Sequence, residues 1–192
     1  MNNYDKKIQL LAITSLFIAL VIIASRIDYG TRDTFRIHLG NSMCLLAGFV
    51  LPPLYGGFAA GVGSMLYDLI FYSGKYVWSP YVTLITKFAM GFVAGLAFLA
   101  INKLINSKQR KIKDPVDVIL GGIIGEIAYI VLYGLKTFVE QKFVASENFI
   151  AVITSVSTKM GAAVINAISA VIISTIIYSA IRQMNLQGYE LK

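Results

Sequence analysis

A single histidine, a single cysteine and a single tryptophan in 192 residues remove several function classes at once. Cys44 has no second thiol for an internal disulfide, and with His38 as the one imidazole no multi-cysteine or histidine-rich metal site can form. Charge is scarce too. Asp, Glu, Lys and Arg make up 14% of the chain, against about a quarter in a soluble domain. No G-x-x-x-x-G-K-[ST] run is present to cradle ATP phosphates, and no H-E-x-x-H or G-x-S-x-G motif to support hydrolysis. Catalysis by paired carboxylates needs two acids at depth, and only Glu126 clearly lies deep, so an enzyme is not expected. The net charge of +7 is not gathered into a basic stripe interleaved with aromatics, which argues against a nucleic-acid partner.

Apolar residues fill the space that charge leaves. They form 57% of the chain, with a mean hydropathy of +0.71, and they come in blocks near the roughly 20 residues that cross a bilayer. The pattern predicts an all-α integral membrane protein with six transmembrane helices near residues 8–25, 40–52, 54–72, 81–103, 116–138 and 150–181. The second is short and ends at Pro52-Pro53, where the chain must break. The first follows Lys6 and Lys7 and ends "IIAS", faintly like a signal peptide, but its apolar length favours a retained helix. No soluble domain or internal repeat interrupts the chain, so residues 1–192 read as one membrane domain.

Basic residues set an orientation. Lys6, Lys7, the segment "KLINSKQRKIKD" (Lys103 to Asp114), Arg182 and Lys192 fall on one side. Arg26, Arg32, Arg36, Lys75 and Lys142 fall on the other, partly balanced by Asp28, Asp33, Glu140 and Glu147. The positive-inside rule therefore places both termini and the 103–114 loop in the cytoplasm. Loops 26–39 ("IDYGTRDTFRIHLGN" with its flanks), 73–80 and 139–149 face outward, rich in aromatics and polar groups suited to capping a site.

The stretch "TLITKFAMGFVAGLAFLA" (Thr83 to Ala100) carries one charge, Lys87, which costs several kcal/mol in a bilayer unless something answers it. Glu126 and Lys159 are the other deep charges. Helical spacing puts Glu126, Tyr129 and Tyr133 on one face, Ser155, Lys159, Ala162 and Asn166 on another, Thr83, Lys87 and Met90 on a third, and Ser64, Asp68 and Phe71 on a fourth. Two readings stand. Glu126 pairs with Lys87 or Lys159 to lock the bundle, or the polar stripes face a cavity that takes a flat, acceptor-rich ligand. His38 reads either as an ordinary interfacial residue or as part of a lid. Small residues recur at Gly57/Gly61, Gly91/Gly95 and Gly121/Gly125, a spacing that lets helices pack closely. Ala12, Ser15 and Ala19 make a smooth face on helix one that packs internally or docks a partner.

Two runs, "IHLGNSMCLLAGFVLPPLYGGFAAGVGSMLYDL" (Ile37 to Leu69) and "YVTLITKFAMGFVAGL" (Tyr81 to Leu96), resemble the S components of energy-coupling factor (ECF) vitamin transporters. The likeness is to the riboflavin and hydroxymethylpyrimidine/pyridoxine branches, with their H-L-G segment, L-x-G-P-x-Y-G-G turn and K-x-x-M-G segment. Here the turn reads Leu51-Pro52-Pro53-Leu54-Tyr55-Gly56-Gly57, with proline for the first glycine, and Ser15 replaces an alanine in the A-x-x-x-A docking motif that ends at Ala19. The resemblance implies six helices, a site opening outward, a transmembrane coupling protein and two ATPase subunits as partners, and delivery by toppling in the membrane. It implies no cofactor in this chain, ATP being used by the ATPases.

The expectation is thus a vitamin-capture subunit of an ATP-driven importer in a bacterial plasma membrane. Lys87, Glu126, Tyr129, Lys159 and Asn166 would supply hydrogen bonds, Trp78, Tyr76 or Tyr133 stacking surface, and His38 and Asp68 further contacts. A pyridoxine- or hydroxymethylpyrimidine-like ligand ranks narrowly above riboflavin. A solitary permease, or a membrane scaffold that binds no vitamin, is the alternative.

Overall fold

The computed structural model describes residues 3–31, 35–71, 77–106 and 115–186. Tyr76, Arg32, Asp33, Lys75, Lys192 and the 107–114 part of the basic loop lie outside the described residues. The chain forms α1 (Asn3–Arg26), β1 (Asp28–Thr31), β2 (Phe35–His38), α2 (Gly40–Val50), α3 (Pro53–Phe71), α4 (Ser79–Asn106), α5 (Val116–Val139), a turn of π-helix (Glu140–Val144) and α6 (Phe149–Leu186).

The helix boundaries agree with the sequence reading to within five residues, because each apolar block ends at a strong local signal. At the α2–α3 junction Leu51 is extended (φ −97°, ψ 158°), as the residue before a proline must be, and Pro53 opens α3 where its missing N–H costs nothing. Among the described residues five helices are long and apolar enough to cross a membrane; α2, with 11 residues, is not. At 1.5 Å per residue α2 spans roughly half of the hydrocarbon core. Instead of crossing, it forms the centre of the bundle. Cys44, Leu45 and Phe49 are buried with Val21, Ala60, Met90, Ala94, Phe98 and Val118 from four other helices, and Leu46 and Ala47 with Phe17 and Ala59.

The molecule is apolar outside and polar inside. Leu11, Leu16, Phe58, Ile85, Leu99, Ile127, Val131, Leu135, Ile168 and Ile172 are exposed, a belt suited to lipid, while Asn41, Asp68, Lys87, Asp117, Glu126 and Asn166 are buried. The glycine pairs serve internal packing. A Cβ on Gly48 would come within 2.5 Å of the Gly91 carbonyl oxygen, and one on Gly125 within 2.6 Å of Ala94 Cβ, so α2, α4 and α5 touch at backbone distance.

The first connecting loop carries structure that hydropathy did not predict. β1 and β2 pair antiparallel, Asp28 opposite His38 and Thr31 opposite Phe35. The start of α1 and the end of α6 lie at the opposite end of the bundle, where Leu10, Ile13, Ile177 and Ile181 join one apolar cluster.

Candidate functional site

The hairpin is held on two sides. Arg36 on β2 donates from Nε to Asp28 Oδ2 (2.7 Å) and from Nη2 to the Ser25 carbonyl (2.6 Å) and the Tyr67 hydroxyl (2.7 Å), with its guanidinium over the Tyr67 ring. From α6, Asn166 accepts from the His38 amide and donates to the Arg36 carbonyl, both at 2.9 Å. Its carboxamide thus completes the edge of β2 as a neighbouring strand would.

His38 then delivers the chain into α2. Its Nδ1 accepts from the Gly40 amide at 3.1 Å, satisfying one of the free N–H groups at the helix start. Gly40 has no room for a side chain, because a Cβ would collide with Ser25 Oγ and His38 Nδ1. This arrangement places Asn41, the next residue, in the middle of the bundle at 1% exposure.

Asn41 is what answers Lys87. The Lys87 ammonium donates to Asn41 Oδ1, and Asn41 Nδ2 donates to both Glu126 oxygens at 3.1 Å. Lys87 also lies 3.6 Å from the centroid of the Tyr129 ring and 4.0 Å from Met90 Sδ. Tyr129 in turn stacks with Tyr133 at 5.5 Å between centroids, with the planes 20° apart. Lys87 and Glu126 are 4% and 2% exposed. Cation–π contact with a desolvated lysine contributes about 2 kcal/mol, and a hydrogen bond to a charged group about 1.5–3 kcal/mol. Together these offset the insertion cost of Lys87.

The structure therefore brings Lys87, Glu126, Tyr129 and Tyr133 together as the helical spacing predicted. The direct lock between Glu126 and a lysine is replaced by a relay through Asn41, since among the described residues Glu126 forms no ion pair with Lys87 or Lys159. Sequence reading passed over Asn41 because "GNS" looks like the end of a loop; its signal was a carboxamide within one turn of an apolar run. Asn166 and His38 join the hairpin and the start of α2. Asp68 is buried on α3 beside Tyr67, which meets Arg36. Lys159 is half-buried on α6, two turns from Asn166, and makes no hydrogen bond or ion pair among the described residues. Trp78 is exposed just before α4, and Tyr76 is outside the described residues. Ala12, Ser15 and Ala19 are all exposed on α1.

The family model for the S component of ECF-type riboflavin transporters matches residues 5–183. The chain belongs to this family. An S component is a vitamin-binding subunit of a membrane transporter rather than an enzyme. A solved structure described as that of the S component of a bacterial ECF transporter is 22% identical to this one, covering 95% of this chain and 99% of its own, with a TM-score of 0.61. At that identity the likeness concerns the fold alone. None of the curated proteins compared matches this S component. The narrow preference for a pyridine or pyrimidine ligand over riboflavin finds no support, because the matching family is the riboflavin one.

Proposed function

We propose that this protein captures riboflavin outside a bacterial cell and serves as the specificity subunit of an ATP-driven ECF importer. The observation that carries the reading is the family match over residues 5–183, joined to a buried donor–acceptor centre beside stacked tyrosines. An isoalloxazine ring is flat and broad, and its pyrimidinedione edge alternates carbonyl acceptors with an N–H donor. Lys87 suits a carbonyl, Glu126 suits the N–H, and Tyr129 and Tyr133 offer aromatic faces. Lys159, half-buried and without a hydrogen bond or ion pair among the described residues, would bind the hydroxylated chain or a ring carbonyl, with Trp78, His38, Asp68 and Asn166 as further contacts.

In this reading both termini and the basic 103–114 loop are cytoplasmic and the hairpin faces outward. A transmembrane coupling protein docks on the Ala12/Ser15/Ala19 face of α1, and two ATPase subunits supply the phosphate-binding loops this chain lacks. No cofactor resides in the chain itself.

The test is direct. The protein is purified in mild detergent and denatured, and the released small molecules are identified by mass spectrometry. Stoichiometric riboflavin is the expected result. Release of a pyridine or pyrimidine vitamin instead would overturn the substrate, and an empty protein that gains no thermal stability from a vitamin panel would overturn the capture role.

A further inference from the structure

Asn41 contributes one carboxamide, and both of its polar atoms face charges. Its oxygen accepts from Lys87 and its nitrogen is shared between the two oxygens of Glu126. An ammonium and a carboxylate this near to each other in a low-dielectric interior attract strongly, and without a spacer they would close into a direct pair. Closure would aim the lysine donors and the glutamate lone pairs at one another. The amide between them prevents this. It takes one N–H of Lys87, while Met90 Sδ and the Tyr129 ring make weaker contacts that a carbonyl acceptor would displace, so the ammonium can still serve a ligand. Each Glu126 oxygen likewise keeps a lone pair beyond the one given to Asn41.

The position of Asn41 is itself tightly set. It stands on the first turn of α2, one residue past Gly40, whose amide is held by His38 and whose α-carbon has no space for a side chain. His38 and Arg36 are fixed in turn by Asn166 through β2. The spacer is therefore carried by anchored backbone and cannot follow the charges if they draw together.

We infer that Asn41 is a positioning residue of the binding site, which keeps Lys87 and Glu126 apart with spare hydrogen-bonding capacity directed at a ligand edge that presents a carbonyl beside an N–H. The inference rests on the proposed function in taking Lys87 and Glu126 as ligand contacts. It differs from a ligand contact by Asn41, whose amide oxygen and nitrogen already face Lys87 and Glu126, and from a purely structural role, which would be indifferent to the charge on Glu126.

A double-mutant cycle separates these cases. Riboflavin is titrated against the wild type, Asn41→Ala, Glu126→Gln and the double variant, read by quenching of flavin fluorescence, and the ligand-free proteins are melted in the same detergent. Asn41→Ala is expected to weaken binding at least tenfold in the native background, where the charges are free to close. In the Glu126→Gln background, where the attraction is gone, the same change should cost less than threefold. The ligand-free melting temperature of Asn41→Ala should stay within a few degrees of the wild type, because the collapsed pair still satisfies both charges. If Asn41→Ala does not fold, Asn41→Ser carries the same comparison. Equal losses in both backgrounds, or unchanged binding by Asn41→Ala in a protein that binds riboflavin, would overturn the inference and leave the proposed function standing. A wild type that does not bind riboflavin would overturn the proposed function, and this inference with it.

Discussion

Arg182 reaches Asp117 at 3.3 Å, and Asp117 has no exposed surface at all. The pair joins the last turns of α6 to the first turn of α5 at the end of the bundle away from the hairpin. Asn102 of α4 donates to the same carboxylate oxygen at 3.2 Å, and the Val118 amide takes the other at 3.0 Å. One acid thus ties three helices. Fifteen residues separate Asn102 from Lys87 on α4, roughly 22 Å along the axis, so this centre and the Lys87 centre are separate.

The two partners are not equally placed, and their variants should differ. Asp117→Ala removes the carboxylate that the Asn102 amide and the Arg182 guanidinium share, an expected loss of about 1–3 kcal/mol. Arg182 is one-third exposed, so water takes over part of its role when it is removed, and Arg182→Gln should cost less than Asp117→Ala. Thermal unfolding in detergent, with riboflavin present and absent, checks the order. Asp117→Ala should lower both melting temperatures by similar amounts, because the centre lies far from the ligand. A larger effect from Arg182→Gln would contradict this account.

Close helix contact makes a second expectation. Gly48, Gly91 and Gly95 meet where α2 crosses α4, and a Cβ on Gly48 or Gly95 would press on backbone oxygen, at 2.5 Å from Gly91 O and 2.7 Å from Gly48 O respectively. Backbone cannot rotate away as a side-chain tip does. Gly48→Ala should therefore cost about 1–3 kcal/mol, as overpacked cores do, and Gly48→Leu should abolish folding. Gly161 is the internal control. Nothing lies within 4 Å of its would-be Cβ, so Gly161→Ala should be neutral or slightly stabilising through helix propensity. Expression level and melting temperature of the three variants decide the point.

Hydropathy blocks made six helices and a membrane location legible, and helical spacing put Glu126, Tyr129 and Tyr133 on one face, because each rests on periodicity along one element. What stayed hidden rests on pairing between elements. Four-residue strands at Asp28–Thr31 and Phe35–His38 have too few residues for an alternation to stand out from a polar loop. Asn41 looked like loop because its neighbours are glycine and serine, and only the hairpin above it shows that α2 starts deep inside the bundle. Asp117 sat too near a basic loop to be taken as buried; its partners come from α4 and from α6, 65 residues along the chain.

Asn166 separates a lid anchor from a ligand contact. Its amide groups are engaged with the His38 amide and the Arg36 carbonyl, so Asn166→Ala should release the β2 edge. Hydrogen exchange at the His38 amide is expected to accelerate at least tenfold in the ligand-free variant, since the group loses its acceptor, while amides within α6 stay protected. Asn166→Asp keeps the acceptor for His38 and loses the donor to Arg36, so it should fall between. If exchange at His38 were the same in all three proteins, the anchor would not govern the hairpin.

The exposed face of α1 gives the last prediction. Ala12, Ser15 and Ala19 recur at helical spacing, and none of them is buried in the bundle. Their small size serves no internal packing, unlike that of Gly48 or Gly125, so it remains available for close approach by a partner helix. Ser15→Leu/Ala19→Leu adds bulk on a surface that meets lipid either way, and the isolated protein should melt within a few degrees of the wild type. Riboflavin binding in detergent should be unchanged, because the binding centre is built from α2, α4 and α5. Uptake into cells that contain the ATPase and coupling subunits should fall to background. Uptake that survives the double substitution would mean that transport does not pass through this face, as a solitary permease would require, while loss of riboflavin binding would show that α1 supports the site from outside.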